Sequence, residues 1–258
     1  MSTPDATAHS VRYTTQTAEP PHLVHMEPDF CWDEQNAYLF DIDGTLLRSR
    51  DRVHYDSFFA SVREVMGHEL NLSGVTLHGN TDPGILRDAF LQTTVDDSHW
   101  RASLEEVLDR MRTTVAAQRD QMQLVRMPAI EETLQYLAGK GATLGVATGN
   151  LEAIGWLKIE TVGLRHWFRF GGFSDRYFDR ADMIAHAAER ARSIAGRDAT
   201  VCVVGDTEFD IAAARANGLP TIAVATGNQS FDQLLQMRPE ACTTSLRALL
   251  DATVGAQK

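Results

Sequence analysis

The chain has only three cysteines, Cys31, Cys202 and Cys242, and they lie far apart with no C-x-x-C or paired Cys/His spacing. That excludes a disulfide scaffold and argues against a structural zinc site, and it implies a reducing compartment. Cys202 falls in an apolar run and reads as a small core residue. There is no block of Lys or Arg. The formal charge is −11, from 24 basic and 35 acidic residues, so no basic patch is available for a duplex nucleic acid partner. No apolar run approaches the ~20 residues of a membrane span. The polar N-terminal stretch has no apolar signal region. The expectation is a cytoplasmic protein with neither a membrane nor a nucleic acid partner.

What is present is ordinary globular composition. The chain has 258 residues, 43% hydrophobic and 23% charged, which fits one large domain or two unequal ones with a sizeable core. Residues 1–33 are rich in Ser, Thr, Pro and His without periodicity and read as a flexible arm, ordered only near Phe30 and Trp32. Four short apolar runs follow: Ala37–Phe40, Ala142–Ala147, Val201–Val204 and Thr221–Ala225. Their continuity suits strands buried on both faces. Trp167–Phe170 is a further candidate strand. Helical patterns lie between them: after Pro128, over 181–195 with Met183, Ile184, Ala187, Ala188, Ala191 and Ile194 on one face, and over 211–216 before Asn217-Gly218. This alternation predicts a Rossmann-like α/β core with a parallel sheet, built from residues 34–50 and 126–258. Residues 51–125 carry helical stretches at Tyr55–Met66, Ile85–Gln92 and Leu104–Met122 and no strand, which predicts an inserted all-helical cap domain.

Three strand ends carry polar residues, and open parallel sheets bind ligands outside the carboxyl ends of their strands. The first is Asp41-Ile42-Asp43-Gly44-Thr45, the second Thr148-Gly149-Asn150, the third Gly205-Asp206-Thr207-Glu208-Phe209-Asp210. Asp41 and Asp43 stand two residues apart, and clustered carboxylates need a counter-charge to stay ionised. A hard divalent cation supplies one. Mg²⁺ suits one or two carboxylates plus a substrate phosphate, with Asp206 as the additional ligand. One carboxylate can then attack phosphorus, and the other can protonate the leaving oxygen and later deprotonate water. Gly44 permits a sharp turn whose N–H groups face phosphate oxygens. Thr148 offers a hydroxyl at the same rim, beside Gly149 and Asn150. A cation from elsewhere should complete the charge balance.

Phe40-Asp41-Ile42-Asp43-Gly44-Thr45-Leu46, Val146-Ala147-Thr148-Gly149-Asn150 and Val203-Val204-Gly205-Asp206-Thr207-Glu208-Phe209-Asp210-Ile211 resemble, in order, the first, second and fourth motifs of the haloacid dehalogenase superfamily of phosphohydrolases. The resemblance runs from about residue 36 to 252. It implies a phosphatase with Asp41 as nucleophile, Asp43 as acid and base, and Thr148 holding the phosphoryl group. It also implies Mg²⁺ on Asp41, Asp206 and the backbone carbonyl of Asp43, with Asp210 supporting the metal from behind. The family's third motif is usually a Lys before a helix. Here Ser174–Met183 contains none, and Arg180 stands in its place with Arg176 as runner-up. Arg carries the charge with a forked geometry. Thr148, Gly149, Asn150, Gly44, Asp43 and Arg180 are thus the expected substrate contacts. His78–Gly84 resembles a segment of phosphoglycolate-phosphatase-like members, equally readable as a turn capped by Asp82. The expected substrate is a small phosphorylated metabolite, phosphoglycolate-like. The competing readings are a sugar phosphomutase, which uses the same two aspartates, and a non-catalytic binding module. Asp43 argues against a dehalogenase.

Overall fold

The computed structural model describes residues 22–256. A seven-stranded sheet has the order β1-β9-β8-β7-β2-β5-β6, with β1 Val24–Met26, β2 Ala37–Phe40, β5 Thr143–Ala147, β6 Phe170–Gly172, β7 Val201–Gly205, β8 Thr221–Val224 and β9 Ala241–Thr243. All neighbours are parallel except β1, which runs antiparallel to β9. β2 lies at the centre, and all four of its residues are buried. Strand side chains alternate faces. Tyr38 and Phe40 therefore pack on one face with Leu144, Val146, Cys202 and Val204, under Ile130, Leu134 and Leu137 of α4 (Ile130–Gly139) and Leu246 and Leu249 of α9 (Leu246–Ala256). Ala37 and Leu39 pack on the other with Val201 and Val203, under Met183, Ile184 and Ala187 of α6 (Arg180–Ala195) and Ala213 and Ala214 of α7 (Glu208–Ala216). Helices cover both faces, so the strands carry no polar side.

Between the short pair β3 (Leu47–Ser49) and β4 (Leu124–Arg126), which run antiparallel, the chain is helical. It forms α1 (Val53–Met66), α2 (Asp82–Phe90) and α3 (Asp97–Ala117). Gly67 ends α1 at φ 63°, a left-handed conformation that glycine adopts without strain. The Thr81 side chain caps α2 by accepting from the Gly84 N–H, and Asp96 caps α3 by accepting from Ser98. The three helices share a second core around Phe58, Val62, Leu86, Phe90, Trp100 and Met111, with Phe90 and Trp100 stacked at 5.6 Å. Leu151 and Ile154 join this core from the segment after β5, so the helical layer sits over that end of the sheet.

The strand order reverses at β2, with β5 on one side and β7 on the other. Their carboxyl ends meet under the helical segment. Two expectations need correction. The arm expected over 1–33 lies outside the described residues for 1–21. Past that point Val24–Met26 form an edge strand, held by backbone pairing to β9, which the arm reading did not contain; Trp32, where order was expected, is buried with its indole N–H on Thr253 at 2.8 Å. The strand expected at Trp167–Phe170 begins only at Phe170. Arg165–Trp167 form a 3₁₀ turn instead, because Trp167 lies before the chain reaches its pairing with Gly145.

Candidate active site

Asp41 follows β2 directly, its N–H donating to the Val204 carbonyl at 2.9 Å. The neighbouring strand ends bring Asp206 and Asp210 to it. Oxygens of Asp41, Asp206 and Asp210 all lie within 4.8 Å of one another, and all three residues are buried. Arg180, first residue of α6, donates through Nη2 to Asp41 Oδ1 at 2.8 Å and Asp210 Oδ1 at 2.6 Å. Its Nη1 reaches the carbonyl of Gly79, in the loop before α2, at 3.2 Å. Asp210 also accepts from the Thr207 backbone N–H and hydroxyl in a capping box. Arg180 thus bridges two of the three carboxylates, while Asp206 accepts from the Thr45 hydroxyl at 3.1 Å.

Burial pushes Asp41 up to about 6; Arg180 opposes the shift, while Asp210 and Asp43 add to it. Burial likewise pushes Asp206 up to about 8, reinforced by Asp41 and Asp210. Burial would lower Arg180, but Asp210 and Asp41 outweigh it and hold the guanidinium above its ordinary value. Backbone leaves no room beside Asp206. A Cβ on Gly44, at φ 94°, would lie 2.3 Å from Asp206 Oδ2, and one on Gly227 would lie 1.7 Å from the same atom. The cradle admits the carboxylate and little else. A buried anionic excess of this kind fits a small hard cation with oxygen ligands.

Asp43 stands apart from that cluster. Its carboxylate accepts from Lys158 Nζ at 2.9 and 2.7 Å and from Asn150 Nδ2 at 2.8 Å. Burial would raise it, but Lys158 and Asn150 prevail and hold it below the usual carboxylate value. Asn150 Nδ2 also donates to the Thr148 hydroxyl at 2.6 Å. The hydroxyl of Thr148 is buried beside Asp43, and the Gly149 carbonyl accepts from the Asp82 N–H at 2.8 Å. A Cβ on Gly149 would meet the Asn80 carbonyl at 2.0 Å, so glycine there lets the loop before α2 seat on the strand end. A cavity of about 240 Å³ lies between these groups and the helical segment, whose wall includes His54, Tyr55, Phe58, Leu77 and Ile85.

The structure therefore brings together Asp41, Asp43, Thr148, Gly149, Asn150, Arg180 and Asp206 at one cavity, with Gly44 packed against the Asp206 carboxylate. Arg176 is exposed and away from these contacts. Two placements differ from expectation. Asp210 belongs to the carboxylate cluster itself, because α7 starts so close to β7 that its first turn faces Asp41. The Asp43 carboxylate lies with Lys158. Lys158 itself is new: it sits on α5 (Glu152–Thr161) and is 3% exposed. Its signal in the sequence is a charge on the apolar stripe of Leu151, Ile154 and Ile159.

A family model described as haloacid dehalogenase-like hydrolase matches residues 38–224. The chain is 29% identical over 228 residues to "Probable phosphatase IndB" of Dickeya dadantii, covering 83% of this chain and 91% of that protein. It is 30% identical over 202 residues to a phosphoglycolate phosphatase of Xanthomonas campestris pv. campestris, covering 76% and 86%. Among solved structures, CbbY of Rhodobacter sphaeroides in complex with phosphate superposes with a TM-score of 0.59 at 15% identity, covering 83% and 99%. At that identity the likeness is one of fold.

Proposed function

The chain belongs to the haloacid dehalogenase-like hydrolases, and from that premise we propose that it is a Mg²⁺-dependent phosphatase of a small phosphate monoester, working through an aspartyl-phosphate on Asp41. The observation that carries this reading is the pair of contrasting carboxylates. Asp41 is buried among Asp206, Asp210 and Arg180, while Asp43, two residues on, opens to the cavity with its side chain 41% exposed. Asp41, Asp206 and the carbonyl of Asp43 would hold Mg²⁺, with Asp210 alongside. When bound, Mg²⁺ neutralises phosphate charge and keeps these carboxylates ionised.

Asp43 takes up a proton from solvent as the substrate dianion arrives; an Asp41 oxygen then attacks phosphorus as the bond to the leaving oxygen breaks, and the Asp43 carboxyl gives that proton to the leaving oxygen. The arriving phosphate dianion raises the proton affinity of Asp43 above its resting state. Water then attacks the acyl phosphate, Asp43 takes a proton from it, and phosphate leaves with Asp41 restored. Thr148 and Arg180 hold the equatorial oxygens, over which charge is spread. The site's relatives include phosphoglycolate phosphatases, and the small cavity suits a substrate of that size. Among the described residues, none of those the helical segment gives to the cavity wall is Lys or Arg. A phosphomutase would need a cation there for a second phosphate, so hydrolysis is the favoured reading. A panel of metabolite monoesters, phosphoglycolate included, assayed with Mg²⁺ and with EDTA, tests it. Release of phosphate in Mg²⁺ alone is expected. Activity unaffected by EDTA, or none on any ester, would overturn it.

A further inference from the structure

Lys158 is a lysine on the inner face of a helix, and a buried ammonium is tolerated only when its hydrogen bonds are made. It has three N–H donors. Its Nζ lies 2.7 and 2.9 Å from the two oxygens of Asp43, 2.7 Å from Asn150 Oδ1 and 3.2 Å from His54 Nδ1. Carboxylate, amide and imidazole account for all three donors, and none is left over for a substrate oxygen. With His54 Nδ1 accepting, Nε2 carries the ring hydrogen and donates to Asp82 Oδ2 at 3.1 Å. Asp82 Oδ2 also accepts from the Leu151 N–H at 2.9 Å, at the start of α5. The ring of His54 stacks on Phe58 at 5.5 Å. A continuous chain therefore runs from Asp82 through His54 and Lys158 to Asp43. Its first two members come from the helical segment and its last two from the sheet domain.

From this geometry we infer that Lys158 is the positioning residue of the acid–base step: it clamps the Asp43 carboxylate so that its open side faces the leaving oxygen, and His54 completes the clamp only when the helical segment is seated. The inference rests on the phosphatase reading above and adds to it a residue that lies outside every recognised motif. Lys158 and Asn150, themselves on the cavity wall, hold the two oxygens of Asp43. The rest of the carboxylate is open, its side chain 41% exposed, and proton transfer takes place there. Misplacement by about 1 Å is enough to cost on the order of 10²-fold in rate. The helical segment contributes no group to the transfer itself. What it contributes is the third acceptor that stops the lysine head group from swinging.

A positioning role for proton transfer differs from a role in binding phosphate or in holding the fold, and the leaving group separates them. A nitrophenolate departs without a proton, whereas an alkoxide needs one. Lys158→Met and His54→Phe are to be compared with the wild-type chain in Mg²⁺ on two probes, glycerol 3-phosphate and p-nitrophenyl phosphate. The readouts are kcat/KM and the inhibition constant for inorganic phosphate, and the melting curve serves as the folding control. Lys158→Met is expected to lose about a hundredfold in kcat/KM on the alkyl ester and less than about tenfold on the aryl ester. Phosphate inhibition should stay within about twofold, because Lys158 does not contact the phosphate. His54→Phe keeps the ring stack and loses the third acceptor together with the bond to Asp82, which still accepts from the Leu151 N–H, so it should show the same selectivity at smaller size. Equal losses on both esters in both variants would overturn the inference and leave Lys158 a structural residue. Weakened phosphate inhibition would overturn it in favour of a substrate contact. If Lys158→Met does not fold, His54→Phe alone decides, since its selectivity is present or absent. A wild-type chain that releases phosphate from neither these two esters nor any ester of the metabolite panel would remove the phosphatase reading and the inference together; activity confined to another alkyl ester of the panel moves the comparison to that ester.

Discussion

Asp41 and Asp43 are separated by one residue, and their surroundings differ in the one respect that matters for an ion. Around Asp41, three buried carboxylates meet a single guanidinium. Around Asp43, one carboxylate meets an ammonium and an amide. The first pocket is short of positive charge and the second is balanced, and their proton affinities move in opposite directions accordingly. Two titratable groups pushed apart by their environments mark a division of labour in many active sites. Here the unbalanced pocket is the place for a divalent cation and a phosphoryl group. The balanced one needs nothing further until a substrate brings charge to it.

The largest expected effect is at the nucleophile. Asp41→Asn keeps shape but cannot form an acyl phosphate, so turnover should fall by on the order of 10⁴ or more while the melting curve shows a folded protein. Trapping with beryllium fluoride should place the adduct on Asp41. Near wild-type turnover in the folded variant would end the distinction between the two aspartates. Next comes Arg180, among the described residues the one cation hydrogen-bonded within the unbalanced pocket. Arg180→Ala should lower kcat by about a hundredfold or more, the usual scale for removing a preorganised electrostatic contact. Arg180→Lys should recover part of it, since charge returns without the fork that spans Asp41 and Asp210. Arg176→Ala, at an exposed position, should be mild. A crippled Arg176→Ala beside a normal Arg180→Ala would exchange their roles.

The unbalanced pocket was the more legible of the two. Asp41 and Asp206 each follow a continuous apolar run, and such runs announce buried parallel strands whose ends face ligand; Asp210, in the first turn of α7, had no such run before it. Arg180 could be placed because α6 begins there. The partners of Asp43 were harder. Helix α5 is apolar on several sides, with Ile154, Trp156, Leu157 and Ile159 spread around it, so no polar face marks its orientation. A lysine in such a helix defaults to solvent, and only the approach of β2 and α1 in three dimensions encloses it. The same reason hid β1 and β9, each three residues long: Val24–Met26 carries a histidine, and its pairing partner lies more than 200 residues away. Short strands of that kind are specified by their neighbours more than by their own pattern.

The smallest expected effect is a matter of stability, and it tests whether the unbalanced pocket is truly short of cations. Without metal, Asp206 is raised to about 8 by burial and by the charges of Asp41 and Asp210, and Asp41 to about 6 by burial and by Asp210 and Asp43 against Arg180, from an ordinary value of 3.8. A carboxyl raised in the folded state binds protons that the unfolded chain has already released. The stability linked to it is present in full below about pH 4 and is lost as pH rises through the folded values, up to about pH 8. The slope is at most about 1.4 kcal/mol per pH unit for each proton. Asp43 is depressed, so its contribution changes below its ordinary value and lies acid of this window. Metal-free protein should therefore melt lower at pH 8 than the same protein with Asp206→Asn, and the difference should shrink towards pH 5. Mg²⁺ competes with those protons, so its thermal shift should grow across the same interval. At a hundredfold excess over its Kd it adds about 2.7 kcal/mol. In Asp206→Asn, both the pH slope and the Mg²⁺ shift should flatten. A wild-type Mg²⁺ shift that is the same at pH 5.5 and 8, or an Asp206→Asn variant with unchanged Mg²⁺ affinity by calorimetry, would mean that the three carboxylates do not share one ion. The contrast with Asp43 would then rest on Arg180 alone.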